Sequence, residues 1–437
     1  HTNCRNKSRL TSDNCQDQMK APFPIVIRCL TNRLKRFKLT HSSRAWSYKC
    51  IQENHMDFEL SSEQKDIRQA AREFALGELK DIAGDCDQNE TFPSELIKKA
   101  GELGFLGVFI DEAYGGAGLG FLEHAIILEE FWRVDPGLAQ QLCSVSFGAE
   151  EFLLFGTEEQ KQKFLPPVAE GKSIMGFAIT EPDAGSDTLS AATSAVLDGD
   201  EYRINGNKVM IGNGSEGDFM LVFCLTNPEE KRRSRRHSII IVETDRPGYE
   251  ADTLHGKMGL RASNTANIFL SDVRVPKENL MGKQGNGFAQ LMAFFDRSRA
   301  YVAAHGVGLS QGALDLAIAH IRSREQFGRK IGSFQSTQFK IAEMATKIEL
   351  ARTIAHKACT LLDQGKGNTD ITAMAKMYSG RTAVEVVDEA LQLHGGYGYF
   401  NEQDIERFYR AAKVLEIYEG AKEVEKMIIG RNTIGKL

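Results

Sequence analysis

The chain has 437 residues, a net charge of −5 and 42% hydrophobic residues, a composition typical of a globular protein with two or three domains. Its mild acidity gives no reason to expect a nucleic acid as a partner. No apolar run reaches the roughly 20 residues that a membrane-spanning helix needs. We therefore expect neither nucleic-acid binding nor a membrane span.

Residues 1–55 differ from the rest of the chain in composition. They contain eleven Lys and Arg residues, four of the eight cysteines and only three acidic residues. An Arg-rich, acid-poor segment is typical of a transit peptide, which would place the protein in the mitochondrial matrix. The segment is equally explained as upstream or non-native sequence ahead of a natural start at Met56. We prefer this second explanation, and with it we expect a cytoplasmic location. We expect residues 1–55 to be a disordered leader and exclude them from fold prediction.

The remaining cysteines are far apart in the chain. Cys86, Cys143, Cys224 and Cys359 form no Cys-x-x-Cys pair, and the ten histidines form no cluster with metal-ligand spacing. We therefore expect reduced thiols and no metal site.

Residues 56–172 have the apolar periodicity of helices. Ser61 and Gln64 predict a capping box at the start of the first helix. A second helix is expected to begin near Pro93, and the segment FLEHAIILEEFW predicts another after the Gly-rich loop 114–120. These patterns predict an N-terminal all-α domain.

The period changes between residues 173 and 282. Alternating polar and apolar residues and the buried-type runs FMLVFCLT and HSIIIVET predict strands. The dipeptides Asp198-Gly199 and Asn205-Gly206 both predict hairpin turns. We expect a central β-domain here.

From residue 283 to residue 437 the helical period returns. Apolar residues from Ile341 to Leu362 mark one face of a long helix that Gly365 is expected to end. Long amphipathic helices are typical of bundles, so the chain is predicted to have an α+β fold in the order α, β, α.

Several common catalytic motifs are absent from the sequence. No Gly-x-Gly-x-x-Gly follows a strand, so a nicotinamide-binding Rossmann domain is not expected. The sequence also has no Gly-x-Ser-x-Gly elbow and no Walker loop. The polar turn FAITEPDAGSD, residues 177–187, can present hydroxyl and backbone N–H groups to a ring edge or a phosphate, although a surface turn explains it equally well.

Six motifs together resemble one enzyme family. The segments ITEPDAGSD, MGLRASNT, FDRSRAYVAAHGVGLSQGALDLA, REQFGRKIGSFQ, QLHGGYGY and IYEGAKEVEK occur in the order found in acyl-CoA dehydrogenases, and the likeness extends from about Phe58 to Leu437. The resemblance implies an N-terminal helical domain, a central antiparallel β-domain and a C-terminal four-helix bundle. It also implies a homotetramer that binds FAD, oxidises an acyl-CoA to its 2,3-enoyl form and passes electrons to an electron-transferring flavoprotein.

In the resemblance to acyl-CoA dehydrogenases, Glu419 matches the position of the catalytic base. A carboxylate that the bound acyl chain desolvates has a raised pKa and can remove the weakly acidic α-proton of a thioester, while hydride passes to the flavin. The backbone N–H of Glu419 would polarise the thioester carbonyl together with a ribityl hydroxyl. Ser298 occupies the position where a minority of the family has its base, which favours Glu419. Read without the resemblance, Glu419 is only an acidic residue near a helix N-terminus.

The resemblance also assigns binding roles to single residues. Thr180 matches a contact to the flavin ring, Ser186 a contact to cofactor and CoA, and Arg324 a contact to the phosphates of a neighbouring subunit's FAD. Glycines near residue 395 match an adenine-side contact that needs close backbone approach. The cofactor-binding candidates are Phe177, Ile179, Thr180, Ser186, Met210, Ile211, Gly212, Arg324, Phe327, Gln335, Gln392, Gly395, Gly396, Ala421 and Glu423. The substrate-binding candidates are Ser186, Asp296, Arg299 and Gly420.

The chain departs from the family pattern at three of these positions. Met210 stands where a flavin-shielding Trp is usual, Gly212 where a hydroxyl bonds the flavin, and Ala421 where a Thr is common. The backbone amides of Ile211 and Gly212 remain available to the ring. These departures keep two alternatives open: an oxygen-using oxidase or monooxygenase of the same fold, and a scaffold without chemistry. The identity of the acyl group is also left open.

Overall fold

The computed structural model describes residues 58–436, and the predictions for residues 1–55 lie outside this range. Its first helix begins as predicted, because Ser61 Oγ accepts a hydrogen bond from Gln64 N at 3.1 Å and Gln64 Oε1 accepts one from Ser61 N at 2.9 Å. The helices of the N-terminal part are α1 Ser62–Phe74, α2 Ala83–Asn89, α3 Glu95–Glu102, α4 Phe121–Val134, α5 Pro136–Ser144, α6 Ala149–Phe155 and α7 Glu158–Ala169.

The central part is a mainly antiparallel sheet of eight strands. The strands are β1 Met175–Ala178, β2 Ser194–Asp198, β3 Glu201–Gly212, β4 Phe219–Leu225, β5 His237–Glu243, β6 Tyr249–Thr253, β7 Thr265–Pro276 and β8 Leu280–Met281. Their order is β6-β7-β3-β2-β4-β5-β8, and β1 also pairs with β4. The pairings of β4 with β1 and with β2 are parallel, and the others are antiparallel.

One of the two predicted hairpin turns is present and the other is wrong. Asp198 pairs with Glu201, so Asp198-Gly199 lies at the turn between β2 and β3 as predicted. Asn205-Gly206 instead lies inside β3, at a register shift against β7. Gly206 has φ 152°, and a Cβ there would lie 2.4 Å from Thr193 Oγ1. The glycine is therefore needed for a bulge and a close approach rather than for a turn.

The C-terminal part is again helical. A short hairpin of β9 Glu325–Gln326 and β10 Arg329–Lys330 separates the first two helices. Gly365, with φ 67°, follows the end of α9 as predicted. The helices are α8 Gly287–Ser323, α9 Gln335–Asp363, α10 Thr369–His394, α11 Ile405–Ala412 and α12 Lys422–Ile434.

Helices from both ends of the described chain share one core. Phe131 of α4, Ala303 of α8 and Met344 of α9 belong to the same buried cluster. A Cβ at Gly308 of α8 would lie 2.4 Å from Glu129 O, and one at Gly312 would lie 2.2 Å from Arg133 O. Gly308 and Gly312 therefore let α8 approach the backbone of α4, which fixes the helix that bears Ser298 and Arg299.

Across residues 58–436, the helices found lack the combination of length and apolar character needed to cross a membrane.

Candidate active site

Glu419 lies in a strained turn between α11 and α12. Glu419 has φ 55° and Gly420 has φ 102°, so two consecutive residues adopt left-handed backbone conformations. A non-glycine residue rarely does so, and such strain persists only where surrounding contacts impose it. Here Arg299 Nε donates to Glu419 O at 3.3 Å, and Lys376 Nζ donates to Gly420 O at 2.6 Å. Two cations from two helices therefore fix the direction of this turn.

The carboxylate of Glu419 is half-buried and hydrogen-bonded. Ser298 Oγ on α8 donates to Glu419 Oε2 at 2.8 Å. Desolvation raises the pKa of Glu419, and this effect exceeds the opposing influence of the Ser298 hydrogen bond and the positive charges of Lys376 and Arg299. The group can therefore accept a proton at a higher pH than an ordinary glutamate, which suits a general base.

Aromatic residues pack against Tyr418, which precedes Glu419 in the turn. The hydroxyl of Tyr418 lies 2.8 Å from His305 Nδ1, and Trp132 stacks on the His305 ring with 4.4 Å between centroids. Burial holds the pKa of His305 well below its usual value, which favours the neutral form of the ring. Tyr301, one helical turn after Ser298, is also buried, and desolvation and the Glu150 carboxylate raise its pKa. These neighbours pack around Tyr418, the residue that precedes Glu419.

A buried ion pair supports the turn that contains Thr180. The side chain of Lys208 is fully buried, and its Nζ lies 2.8 Å from Glu181 Oε1 and donates to Ile179 O at 2.9 Å. On the strand side, Val209 N donates to Thr180 O at 2.9 Å. Thr180 is consequently held at the end of β1 beside β3, half-buried. Ser186, further along the same turn, is exposed.

The end of β3 presents open backbone at the predicted flavin position. Met210 has φ 56° and is 64% exposed, so it does not fill the core, whereas Ile211 is buried. No atom lies within 4 Å of the place where a Cβ on Gly212 would be. Buried Asn213 anchors this end, since its Nδ2 donates to Ser144 O at 2.9 Å and to Met175 O at 2.8 Å. The strand thus leaves room for a planar group at Gly212.

Three of the candidates on the C-terminal helices line one cavity. Arg324, Gly395 and Gly396 border a cavity of about 680 Å³ at the end of α8 and α10. The Arg324 guanidinium also stacks over the Tyr397 ring at 5.3 Å. Guanidinium and glycine backbone are groups that suit a phosphate-bearing ligand. The lining of this cavity therefore suits a phosphate-bearing ligand.

Other candidates lie outside the lining of that cavity. Gln335 and Gln392 are exposed. Phe327 is 93% exposed at the tip of the β9–β10 hairpin, where it has φ 52° and Gly328 has φ 74°. Positive φ at both central residues defines a type I′ turn, which a phenylalanine disfavours. In a single chain, the hairpin therefore exposes the apolar ring of Phe327 to solvent.

The remaining candidates are placed around the Glu419 turn and on α8. Arg299 is buried against the Glu419 carbonyl, and its guanidinium lies 5.0 Å from the Phe295 ring centroid. Asp296 accepts a hydrogen bond from Thr369 Oγ1 at 3.0 Å. Phe177 of β1 is buried, while Ala421 is half-buried before α12 and Glu423 is exposed in its first turn.

Three family models match almost the whole described chain. They are the acyl-CoA dehydrogenase N-terminal domain over residues 61–172, the middle domain over residues 176–273 and the C-terminal domain over residues 285–434. The chain belongs to the acyl-CoA dehydrogenase family. It is accordingly an enzyme, an oxidoreductase that acts on CH–CH groups.

Individual acyl-CoA dehydrogenase relatives match along most of their length. A probable acyl-CoA dehydrogenase of Bacillus subtilis is 42% identical over 87% of this chain and 100% of its own. A subunit of the caffeyl-CoA reductase–Etf complex of Acetobacterium woodii is 39% identical over 85% of this chain and 98% of its own. The structure of butyryl-CoA dehydrogenase from Megasphaera elsdenii has a TM-score of 0.84 and 35% identity, and the match covers 87% of this chain and 100% of that chain.

Sequence reasoning missed the charged residues that support this acyl-CoA dehydrogenase site. Lys208 and Glu181 are 27 residues apart in the chain, and the ion pair between them requires the sheet to form. Lys376 lies in the otherwise apolar segment ITAMAKMY, where a single lysine is the one available signal. Glu425 is an ordinary acidic residue for the first turn of a helix, so nothing in the sequence marks it as buried.

Proposed function

We propose that this acyl-CoA dehydrogenase uses FAD to convert an acyl-CoA thioester to its 2,3-enoyl-CoA, with Glu419 as the base that removes the α-proton. The observation that supports this most strongly is the half-buried Glu419 carboxylate on Ser298, whose pKa desolvation raises. A base with a raised pKa matches the weak acidity of an α-proton better than an ordinary glutamate does.

The residues at two places fit FAD. The open backbone at Gly212 and the half-buried Thr180 can face a planar ring, and Arg324 with Gly395 and Gly396 borders a cavity large enough for a nucleotide. We propose that these residues hold the two ends of the cofactor. When bound, FAD would supply the acceptor for the hydride that leaves the β-carbon.

The remaining steps belong to the Glu419 turn. Glu419 accepts the α-proton, and its backbone N–H donates to the thioester carbonyl so that negative charge on the oxygen is stabilised. Arg299 and Lys376 hold the two consecutive carbonyls of the turn, which keeps both the carboxylate and this N–H aligned. A bound acyl chain would exclude water from this partly exposed turn and would strengthen each of these interactions.

We further propose a homotetramer in which one subunit completes the cofactor site of its neighbour. Phe327, Gln335 and Gln392 support this, because they are exposed within one subunit although they match FAD contacts in the resemblance. The exposed ring of Phe327 at a strained turn would be covered by such a neighbour. An electron-transferring flavoprotein is the proposed acceptor, in keeping with the Etf complex to which the Acetobacterium woodii relative belongs.

An oxygen-using oxidase or monooxygenase is the second candidate. Met210 is 64% exposed and Gly212 has no side chain, so the proposed ring site has neither a shielding indole nor a hydroxyl at these positions. Turnover with an artificial electron acceptor that is unaffected by removal of oxygen would favour the dehydrogenase. Turnover that requires oxygen would favour the oxidase or monooxygenase.

A panel of straight, branched, cyclic and dicarboxylic acyl-CoAs tests the first proposal. The FAD-loaded protein is mixed anaerobically with each compound, and loss of the visible flavin band is followed. We expect at least one acyl-CoA to bleach the flavin and to yield the 2,3-enoyl product. A colourless protein that binds no FAD, or a flavin that no acyl-CoA reduces, would contradict the proposal.

A further inference from the structure

A second charged pair lies directly behind the turn of Glu419. Lys376 of α10 is 1% exposed and Glu425 of α12 is fully buried, and Lys376 Nζ lies 3.6 Å from Glu425 Oε1. Neither residue was among the site residues predicted from the sequence. Burying two charges is costly unless they serve each other and their neighbours, so the pair calls for an explanation.

Lys376 makes its shortest contact with the turn itself. Its Nζ donates to Gly420 O at 2.6 Å, which is shorter than the 3.6 Å to Glu425. A Cβ at Gly420 would lie 3.3 Å from both Arg299 Nη2 and Glu425 Oε1, so Gly420 is confined between these charges. The side chain of Lys376 therefore positions the turn, and Glu425 faces the same turn from α12.

Two cations and two carboxyl groups meet at this turn. The cations are Arg299 and Lys376, and the carboxyl groups are those of Glu419 and Glu425. Burial raises the pKa of Glu425 and lowers that of Lys376, and each residue opposes the shift of the other. The charged and titratable groups that face Glu419 are Arg299 and Tyr301 from α8, Lys376 from α10, Glu425 from α12 and the adjacent Tyr418.

We propose that Lys376 and Glu425 are positioning residues for Glu419: Lys376 fixes the 419–420 turn, and Glu425 offsets its charge so that Glu419 remains an effective base. This inference rests on the proposed function. It adds that the basicity of Glu419 is set by a buried pair from α10 and α12, and not by desolvation alone.

The two residues have opposite expected effects on Glu419. Removing the charge of Glu425 leaves Lys376 and Arg299 unopposed, which favours ionised Glu419 and lowers its pKa. Removing the charge of Lys376 takes away one favourable cation and one carbonyl contact, which raises the pKa of Glu419. A charge within about 4–6 Å of a carboxyl group shifts its pKa by about one unit or more. A purely structural role would not produce shifts of opposite sign.

Infrared titration of the FAD-loaded protein tests this without relying on turnover. The carboxyl band of Glu419 is identified by its loss in Glu419→Gln, and its titration is followed in Glu425→Gln, Lys376→Met and the double variant. We expect the pKa of Glu419 to fall by about one unit in Glu425→Gln and to rise by about one unit in Lys376→Met. In the double variant it should return close to the wild-type value. Glu425→Asp, which keeps the charge, should remain close to wild type.

The controls are Asp388→Asn on α10 and Lys426→Met on α12, two exposed residues with the same charge changes. Both should leave the titration unchanged. Equal shifts in the controls, shifts of one sign in both pair variants, or no shift in Glu425→Gln would overturn the inference. Should Lys376→Met fail to fold, Glu425→Gln and Glu425→Asp decide the question.

The second readout is the pH dependence of the anaerobic rate of flavin reduction, measured with the acyl-CoA that reduces the wild type fastest. In each variant, the acid limb of this pH–rate profile should move in the same direction as the infrared titration. If no acyl-CoA reduces the wild type, the proposed function fails, while the infrared titration still reports on Lys376 and Glu425. The two failures are therefore distinguishable.

Discussion

Replacement of Ser298 by alanine should make Glu419 harder to ionise. The Ser298 hydroxyl donates to Glu419 Oε2 at 2.8 Å and stabilises the ionised carboxylate against desolvation. A hydrogen bond to a charged group contributes about 1.5–3 kcal/mol, and one pKa unit corresponds to about 1.4 kcal/mol. Because Glu419 is half-buried and water can replace part of this bond, we expect the lower end of this range, a rise of about one pKa unit.

The sign of the effect on activity follows from the role of a base. The ionised form of Glu419 reacts, so the rate rises as pH passes through its pKa. A pKa raised by about one unit moves that limb to higher pH, and the variant should react about tenfold more slowly at pH values below the limb. At pH well above the limb, the two rates should converge.

Anaerobic stopped-flow reduction of the flavin across pH measures this shift. The matched control is Ser310→Ala, since Ser310 is also a fully buried serine of α8 but donates to Gly306 O at 2.6 Å instead of to Glu419. The control should keep the wild-type profile. An acid limb in Ser298→Ala that coincides with the wild type would refute the reasoning.

Three further predictions concern the supports of the site. Lys208→Met should lower the free energy of unfolding by about 3–5 kcal/mol in urea titrations, because it leaves Glu181 buried without its partner; a loss below about 1 kcal/mol would contradict this. Phe327→Asp should weaken the proposed tetramer in sedimentation velocity without changing the circular dichroism; an unchanged state of association would argue against the proposed neighbour contact. Gly212→Thr should fold normally, since its Cβ meets open space, and should slow reoxidation of the reduced flavin by oxygen; unaltered reoxidation would remove the role given to this position.

Local chemistry explains why parts of the fold were predictable. The capping box at Ser61 and the turn at Asp198-Gly199 depend on residues close in the chain, and both predictions are confirmed. Asn205-Gly206 has the same local signal as a hairpin, but its surroundings decide otherwise, because β3 continues through it to pair with β7. The contact of Gly206 with Thr193 that requires a glycine exists only after the sheet has formed.

The site was predictable where a motif identifies a residue and not where the fold brings distant residues together. Glu419 and Arg299 were predicted as site residues from motifs, whereas the contact of Ser298 with Glu419 joins residues 121 positions apart. Lys376 and Glu425 meet only because α10 and α12 pack side by side. Met210 is 64% exposed. No local pattern in the sequence distinguishes an exposed methionine at this position from one buried in the core.

The most direct test of the account is the reductive reaction of Glu419→Gln. This variant removes the base but keeps the size and part of the hydrogen bonding of the side chain. We expect it to retain FAD and to bind the acyl-CoA, while the anaerobic rate of flavin reduction falls by at least about 10²- to 10⁴-fold, the usual contribution of a general base. Reduction at a near-normal rate in Glu419→Gln would show that another group removes the α-proton.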